Sequence, residues 1–260
     1  MSEVLKLAKS SIPEADAEGF IRTETAEDIL RSLALVRSIN GPAVTLISGA
    51  PGIGKTETLL HSQRQDWDGS IYVSIAKGEG NPFHVASRIL SQFGDSKTRG
   101  KGLDELRQVV GAYVGKRRIL LVDEAQNLFQ RHKLSATKGS SFGWLVAASE
   151  EGGFDLAFCG DLTLPSIFME FPHLQSRMRR PVVVKSVSRA DVSALAQQEG
   201  LSGRVEVDLL AAIAKLPGGL RNVENVIRMA SIFAGREKVS GTHLKAAVDD
   251  LKLHQSGTKQ

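Results

Sequence analysis

A chain of 260 residues with 42% hydrophobic and 24% charged residues has the composition of a soluble globular protein of one or two domains. It contains no apolar run of about 18 residues and no secretory signal, which predicts a cytoplasmic protein without a membrane partner. Its one cysteine, Cys159, excludes an intrachain disulfide and is predicted to be buried, because it ends an apolar run. The net charge of +4 is too small to indicate nucleic-acid binding by itself.

The first predicted elements lead into a glycine-rich segment. Residues 1–22 are predicted to be an N-terminal extension, and capping residues followed by apolar spacing predict a helix over 23–38. A short apolar, β-branched run over 43–48 then predicts a buried strand. Residues 49–56, GAPGIGKT, match the pattern G-x-x-x-x-G-K-[ST] at every fixed position, and a helix is predicted to follow from residue 57. The pattern therefore has the strand, loop and helix context that its chemistry requires.

This segment predicts a binding site for a nucleoside triphosphate. Gly49, Gly52 and Gly54 allow backbone N–H groups to approach phosphate oxygens, and the positive end of the following helix points at the same anion. Lys55 is predicted to reach the β- and γ-phosphates, and the Thr56 hydroxyl is predicted to ligate Mg²⁺. The other residues assigned to the nucleotide are Ala50, Pro51, Ile53 and Glu57.

A strand that ends in two acids supplies the second half of the predicted site. The elements before it are a strand over 70–75, a loop over 77–82 and helices over 83–93 and 103–114. The run 119–124, ILLVDE, has four apolar residues before Asp123 and Glu124, which is typical of a strand buried on both faces. We predict that Asp123 holds the Mg²⁺ shell and that Glu124 orients or deprotonates the attacking water.

The rest of the chain divides into an α/β part and an all-helical part. Its predicted elements are a helix beginning over 126–130, a helix over 142–150, strands over 154–159 and 182–184, and helices over 188–199, 205–215, 220–234 and 242–251. Strands alternating with helices predict a parallel five-stranded sheet with helices on both faces and ligands at the strand ends. We therefore predict an α/β core with the P-loop over 23–187, an all-helical domain over 188–253, which the resemblance described next identifies as a lid, and a flexible tail over 254–260.

With these motifs the chain resembles the AAA+ ATPases, in which a P-loop core precedes a small all-helical lid. GAPGIGKT and ILLVDEAQNL are similar to the nucleotide motifs of that superfamily. DEAQNL, FPHLQSRMRR and GGLRNVENVIRMA resemble its transposition-regulator branch, and the resemblance covers about residues 21–251. It implies an ATPase that binds ATP and Mg²⁺, oligomerises as a ring or helical filament on duplex DNA without sequence preference, and activates a transposase. The lack of an N-K-x-D segment favours ATP over GTP.

The resemblance also assigns roles to residues outside these two motifs. Asp161 stands where these ATPases commonly have an Asn that senses the γ-phosphate, and an acid there would repel phosphate unless protonated or turned away. Arg177, or failing it Arg179 or Arg180, is similar to the arginine finger that reaches the nucleotide of a neighbouring subunit. Arg221 is similar to the lid arginine that contacts the phosphates in cis. A surface salt bridge is the alternative role for each arginine.

The DNA contacts of this branch come from two loops, which correspond here to residues 77–81 and 131–138. The candidates for contacts with DNA phosphates are Lys77, Arg131, Lys133 and Lys138. Such contacts give sequence-independent binding that weakens steeply with salt. Solvated basic surfaces are the alternative explanation of these charges.

Two other functions stay open. An AAA+ loader or a secretion-type ATPase would use the same motor on a protein partner, and salt-sensitive DNA binding would separate the two. A nucleotide-switched scaffold has no need of Glu124 beside Asp123, so the second carboxylate favours hydrolysis. A helicase is disfavoured because the chain has one P-loop core where such helicases have two. The six histidines are scattered, which predicts no metal other than Mg²⁺.

Overall fold

A computed structural model describes residues 19–65, 69–95, 98, 100–129 and 140–253 of the chain. The predicted tail and most of the predicted N-terminal extension lie outside these residues, as do Arg131, Lys133 and Lys138. The described residues form two compact units, one of residues 28–50 and 54–185 and one of residues 19–27, 51–53 and 186–253. None of the described helices combines the length and the apolar character needed to cross a membrane.

The first unit is built on a parallel sheet of five strands. These are β1 (Val44–Gly49), β2 (Ser70–Ser74), β3 (Ile119–Asp123), β4 (Asp155–Gly160) and β5 (Val182–Val184). They lie in the order β2-β3-β4-β1-β5, and every neighbouring pair is parallel. The predicted five-stranded sheet is confirmed, and the carboxyl ends of all its strands lie at one edge.

Helices cover both faces of this sheet. They are α1 (Glu24–Ser38), α2 (Lys55–Gln65), α3 (Pro82–Ser91), α4 (Leu103–Val114), α5 (Ser140–Gly152), α6 (Leu164–Met169) and α7 (Pro172–Arg177). Ile47 and Leu121 share one core cluster with residues of α1 and α2. Leu46 and Leu120 share the other cluster with residues of α3 to α7. Because side chains alternate along a strand, a strand covered on both faces is expected to be mostly apolar, and β3 is apolar up to Asp123.

Two short helices were not predicted from the sequence. The six-residue helices α6 and α7 begin with prolines at their first turns, where proline costs no hydrogen bond. They are too short to show a helical period, and packing holds them in place. Phe168 of α6 contacts Phe142 of α5 edge-to-face at 5.3 Å between ring centroids, and Phe142 contacts Phe158 of β4 at 5.2 Å. Such aromatic pairs add about 1 kcal/mol each beyond the burial of their area.

The prediction of a helix beginning over 126–130 is wrong in the type of helix. Residues Ala125–Leu128 form a 3₁₀ turn, and the next residue, Phe129, has extended backbone. The Asn127 side chain donates to the Ile75 carbonyl at 2.8 Å, so tertiary bonding fixes this segment beside the end of β2.

The second unit is helical over 186–253. Its helices are α8 (Arg189–Gln198), α9 (Arg204–Ala214), α10 (Leu220–Ala234) and α11 (Gly241–Asp250). Leu210, Val226 and Leu244 are fully buried in its core. At its edge the buried Asp191 carboxylate accepts from the Thr25 hydroxyl at 2.7 Å and from the Thr25 N–H at 3.2 Å. The predicted fold class, an α/β core followed by an all-helical region, is confirmed.

Candidate nucleotide-binding site

The glycine-rich segment forms the turn between β1 and α2. Gly52 and Gly54 have φ angles of +74° and +92°, which glycine adopts without the steric cost that other residues meet. A Cβ on Gly52 would also lie 1.7 Å from the carbonyl oxygen of Gly218, and the Gly52 carbonyl accepts from the Leu220 N–H at 2.8 Å. Position 52 therefore requires glycine for both its backbone angle and its lack of a side chain.

Lys55, the first residue of α2, bends back over this turn. Its Nζ donates to the carbonyl oxygens of Gly49 at 2.8 Å and of Ala50 at 3.0 Å. Both acceptors are neutral, and an ammonium bonds a phosphate oxygen more strongly than a neutral carbonyl. The side chain is thus placed so that a phosphate seated on the turn would compete for it.

The oxygens of Thr56 and Asp123 meet where β3 ends. The Thr56 hydroxyl donates to Oδ2 of Asp123 at 2.7 Å, and this carboxylate, 2% exposed, also accepts the Glu124 N–H on Oδ1 at 2.9 Å. Hard oxygen ligands of this kind suit Mg²⁺, which completes its shell with phosphate oxygens and water. In the described part of the chain no group of three or more His, Cys, Asp or Glu could hold a metal ion. The residues fit a Mg²⁺ that is bound together with phosphates.

Tyr72 is a member of this site that the sequence analysis missed. Its hydroxyl donates to the same Oδ2 of Asp123 at 3.0 Å. Burial, and next the charge of Asp123, raise the pKa of Tyr72 well above its usual value, so the hydroxyl keeps its proton and acts as a donor. The sequence SIYVSI gives one indication of this role, since the ring of Tyr72 carries a hydroxyl group that can donate a hydrogen bond. The position of β2 beside β3 comes from the structure.

Glu124 follows Asp123 and is exposed, with its backbone in the left-handed region at a φ of +53°. Its Oε2 accepts from the side-chain amide nitrogen of Gln126 at 2.5 Å. The Gln126 amide oxygen in turn accepts the N–H of Asp161 at 3.2 Å. A non-glycine residue at positive φ is uncommon, and such residues cluster at functional sites.

Asp161, directly after β4, has its carboxylate turned to its own chain segment. Oδ1 accepts from the Thr163 N–H at 2.9 Å and from the Thr163 hydroxyl. The Asp161 carbonyl accepts from the Ser48 hydroxyl at 2.7 Å. The Asp161 carboxylate is thus engaged by Thr163, and its proposed part in sensing the γ-phosphate stays a prediction.

The three arginines considered for the finger differ in their contacts. Arg177 ends α7, and its Nε donates to a Glu150 oxygen at 2.6 Å. Arg180 donates to the Asp28 carbonyl at 2.9 Å and forms an ion pair with the same residue, so it fastens its segment to α1. Arg179 is exposed, and its guanidinium donates to backbone carbonyls of its own segment.

Three further predicted site residues, Glu57, Lys77 and Arg221, lie at the surface, whereas Ile53 is buried. Glu57 is paired with Arg64 within α2 at 3.1 Å. Lys77 is exposed in the loop between β2 and α3, and Arg221 is exposed at the second position of α10. The predictions for Arg131, Lys133 and Lys138 fall outside the described residues. Lys55, Thr56, Asp123, Glu124 and Asp161 are thus predicted residues that the first unit places at the edge where its strands end.

Cys159 lies close to the end of β3, and Asp123 is among the groups that affect its thiol. It lies in β4 and is fully buried, which confirms the predicted structural thiol. Burial raises the pKa of the Cys159 thiol well above its usual value. A thiol that stays protonated is a poor nucleophile.

Comparison with known proteins gives a consistent result. The protein-family model described as AAA domain matches residues 38–168, half of the chain. The family model described as Mu B transposition protein, C terminal, matches residues 176–251. The ATP-dependent target DNA activators B of Escherichia phages D108 and Mu are each 26% identical over 251 residues, which cover 95% of this chain and 77% of theirs.

Solved structures show the same fold. The ORC2 protein of Aeropyrum pernix, in its ADPNP–ADP complexes, has a TM-score of 0.64 and 18% identity, with 94% of this chain and 70% of that chain covered. At this identity the likeness concerns the fold alone. Because the AAA domain model spans half of the sequence, the chain belongs to the AAA+ family, and it resembles the transposition-regulator branch through its relatives in phages D108 and Mu.

Proposed function

We propose that this protein is an ATPase that binds duplex DNA without sequence preference, assembles on it and regulates transposition by activating a transposase. The observation that carries the proposal is the meeting of Thr56 with Asp123 at 2.7 Å beside the glycine turn, with Glu124 next in the chain. A nucleotide binder that does not hydrolyse ATP has no need of that second carboxylate. The target DNA activators of phages D108 and Mu, similar over 95% of this chain, support the role in transposition.

In the proposed reaction the chain supplies binding, orientation and charge. Backbone N–H groups of residues 49–56 and the Lys55 ammonium bind the phosphates, because oriented donors at a helix N-terminus attract anions. Thr56 and Asp123 would hold Mg²⁺, which when bound neutralises charge on the β- and γ-phosphates. Glu124 orients the water or accepts its proton. These roles are worth most when the site is closed to bulk water.

Completion of the site by a neighbouring subunit is part of the proposal. An arginine finger stabilises the charge that develops on the transferred phosphoryl group. We assign this role to Arg177, since its partner Glu150 is half exposed and the ion pair is exchangeable. Arg180 is the weakest of the three candidates, because it already fastens its segment to Asp28.

The DNA-binding role is assigned to the two loops. Lys77 is exposed after β2, and Arg131, Lys133 and Lys138 are proposed to act with it. Phosphate contacts by such side chains act at any sequence, as a target selector without sequence preference requires. We further assign residues 23–187 to the ATPase core and residues 188–253 to the lid. Arg221 is given the role of the lid arginine, and the protein is proposed to act in the cytoplasm.

Turnover of two variants tests the hydrolytic function. Lys55→Ala is expected to lose ATP binding, whereas Glu124→Gln is expected to bind ATP normally and to lose at least about 100-fold in turnover. Glu151→Gln, which removes an exposed acid paired with Arg107, is the matched control. Equal turnover by Glu124→Gln and the unaltered protein would reject hydrolysis by this site. A protein that hydrolyses ATP without salt-sensitive DNA binding would instead be acting on a protein partner.

A further inference from the structure

The side chain of Gln126 joins the ends of two neighbouring strands. Its amide nitrogen donates to Oε2 of Glu124 at 2.5 Å, directly after β3. Its amide oxygen accepts the backbone N–H of Asp161 at 3.2 Å, directly after β4. A primary amide is one of the few side chains that can donate and accept at once. Gln126 therefore ties the Glu124 carboxylate to a fixed point of the sheet.

Gly160 provides the space for this amide. A Cβ at position 160 would lie 2.3 Å from the Gln126 amide oxygen, a distance at which one of the two must move. Gly160 does not have a positive φ, so its backbone alone would accept other residues. Position 160 thus needs glycine because a side chain has no room there: the Gln126 amide oxygen is the nearest group, and Leu164 Cδ2 follows at 3.1 Å.

The hydrogen bond from Gln126 restricts the orientation of the Glu124 carboxylate, which the Glu124 backbone alone would leave free to rotate. Glu124 is exposed, so without a partner its side chain would sample several rotamers. The amide holds one carboxylate oxygen and leaves the other able to engage a water. Because Asp161 anchors the amide through a backbone N–H, the anchor depends on the position of the strand end and on no second flexible side chain.

We propose that Gln126 is a positioning residue for ATP hydrolysis, which holds the Glu124 carboxylate in the orientation that acts on water and anchors it to the end of β4. This inference rests on the proposed function, in which Glu124 serves the hydrolytic step. Gln126 itself touches neither nucleotide nor water in this role. Loss of the amide should lower the rate of the chemical step and leave nucleotide binding alone.

Four proteins test this in a double-mutant cycle: the unaltered chain, Gln126→Met, Gly160→Ala and the double variant. Methionine keeps the length of the side chain and removes its donor and acceptor, and Gly160→Ala displaces the amide. We measure kcat and KM for ATP, the Kd of a fluorescent ATP analogue and the Tm. Each single variant is expected to lose roughly 10- to 100-fold in kcat with KM and Kd unchanged, since misplaced catalytic groups cost about this much.

The double variant is expected to match the single ones, because both changes remove the same bond. Gln108→Ala on the exposed face of α4 and Gly241→Ala, whose added Cβ meets open space, are the controls. A normal kcat for Gln126→Met would overturn the proposal. A lower kcat together with weaker nucleotide binding and a lower Tm would also overturn it, because such a result indicates a structural role. If Gly160→Ala fails to fold, Gln126→Met alone decides. An unaltered protein that binds ATP and never hydrolyses it, with or without DNA, would refute the proposed function instead.

Discussion

Tyr72 and Asp123 lie diagonally across β2 and β3, with the phenolic hydroxyl donating to the carboxylate at 3.0 Å. In the register of these strands Tyr72 pairs with Leu121, two residues before Asp123, so both side chains point to the same face of the sheet. A side chain of one strand thereby fixes the acid of the next. The proposed Mg²⁺ ligand is positioned by the sheet as well as by its own strand.

Tyr72→Phe is therefore expected to weaken the response to Mg²⁺. It keeps the ring and removes one donor to Asp123, a loss of about 1 kcal/mol, so the Mg²⁺ concentration for half-maximal ATP turnover should rise about fivefold. Nucleotide affinity without Mg²⁺ should stay constant. Tyr113→Phe is the matched control, because Tyr113 donates to Asp95 instead. An unchanged Mg²⁺ titration for Tyr72→Phe would show that the hydroxyl does not support the metal site.

Gly52→Ala is expected to abolish ATP binding and to destabilise the protein. The substitution combines a φ of +74° with a Cβ placed 1.7 Å from the Gly218 carbonyl oxygen. Gly41→Ala separates the two effects, since Gly41 has a φ of +101° and open space around its Cβ. Gly41→Ala should lower the free energy of unfolding by about 1–2 kcal/mol, and Gly52→Ala should lower it further. Denaturant titration and ATP binding measure both, and equal effects of the two variants would contradict the close approach.

Arg177→Ala is expected to lower ATP turnover on DNA by about 1000-fold while ATP affinity stays constant. Mixing it with Lys55→Ala subunits should restore turnover, because the second variant supplies an intact finger and the first an intact pocket. Glu150→Gln is the control, since it breaks the same ion pair and keeps the arginine. If Glu150→Gln lost as much turnover as Arg177→Ala and mixing restored nothing, the ion pair would be the function of Arg177.

Lys77→Ala is expected to weaken DNA binding about equally for all sequences. Removal of one phosphate contact should reduce the slope of log affinity against log salt by about 1. Lys245→Ala, at an exposed position of α11, is the control. Binding to duplexes of several sequences over a salt series measures both values. A slope unchanged from that of the unaltered protein would remove Lys77 from the DNA-binding surface.

Asp155→Asn is expected to change how stability depends on pH. Burial raises the pKa of Asp155 from 3.8 to about 6, opposed in part by the Ala43 N–H that donates to it at 2.9 Å. The folded state thus binds the proton more tightly than the unfolded chain, so this contribution is full below about pH 4 and is lost as the pH rises to about 6. The amide can still accept from Ala43 and does not ionise.

Between pH 4 and pH 7, Asp155→Asn should therefore gain about 1 kcal/mol in free energy of unfolding relative to the unaltered protein, a figure reduced for the contact of this carboxyl with water. Urea titrations across this range measure the difference. Asp208→Asn, at an exposed position paired with Arg189, should show no such trend. If the difference in free energy of unfolding between the two proteins did not change with pH, Asp155 would have the same pKa in the folded and unfolded states.

The nucleotide motifs and the strands could be predicted because their signals are local. An apolar run such as ILLV before Asp123 specifies a strand buried on both faces, and the glycine pattern specifies the turn. Tyr72 and Gln126 could not be predicted, because their partners come from strand register, which no local pattern carries. Gln126 stood inside the quoted motif DEAQNL, and only the distance to Asp161 gives it a role. The six-residue helices α6 and α7 could not be predicted either, because packing against other elements stabilises them and no local pattern shows it.

The single thiol of this chain offers a built-in chemical reporter. Cys159 lies in β4, the middle strand of the five, and is shielded completely. A maleimide or similar reagent can reach it only when the central sheet opens, so the labelling rate measures that opening free energy at one defined place. Protection from labelling by ATP or by DNA would then give the stabilisation that each ligand confers on the sheet, without a mutation or an attached dye.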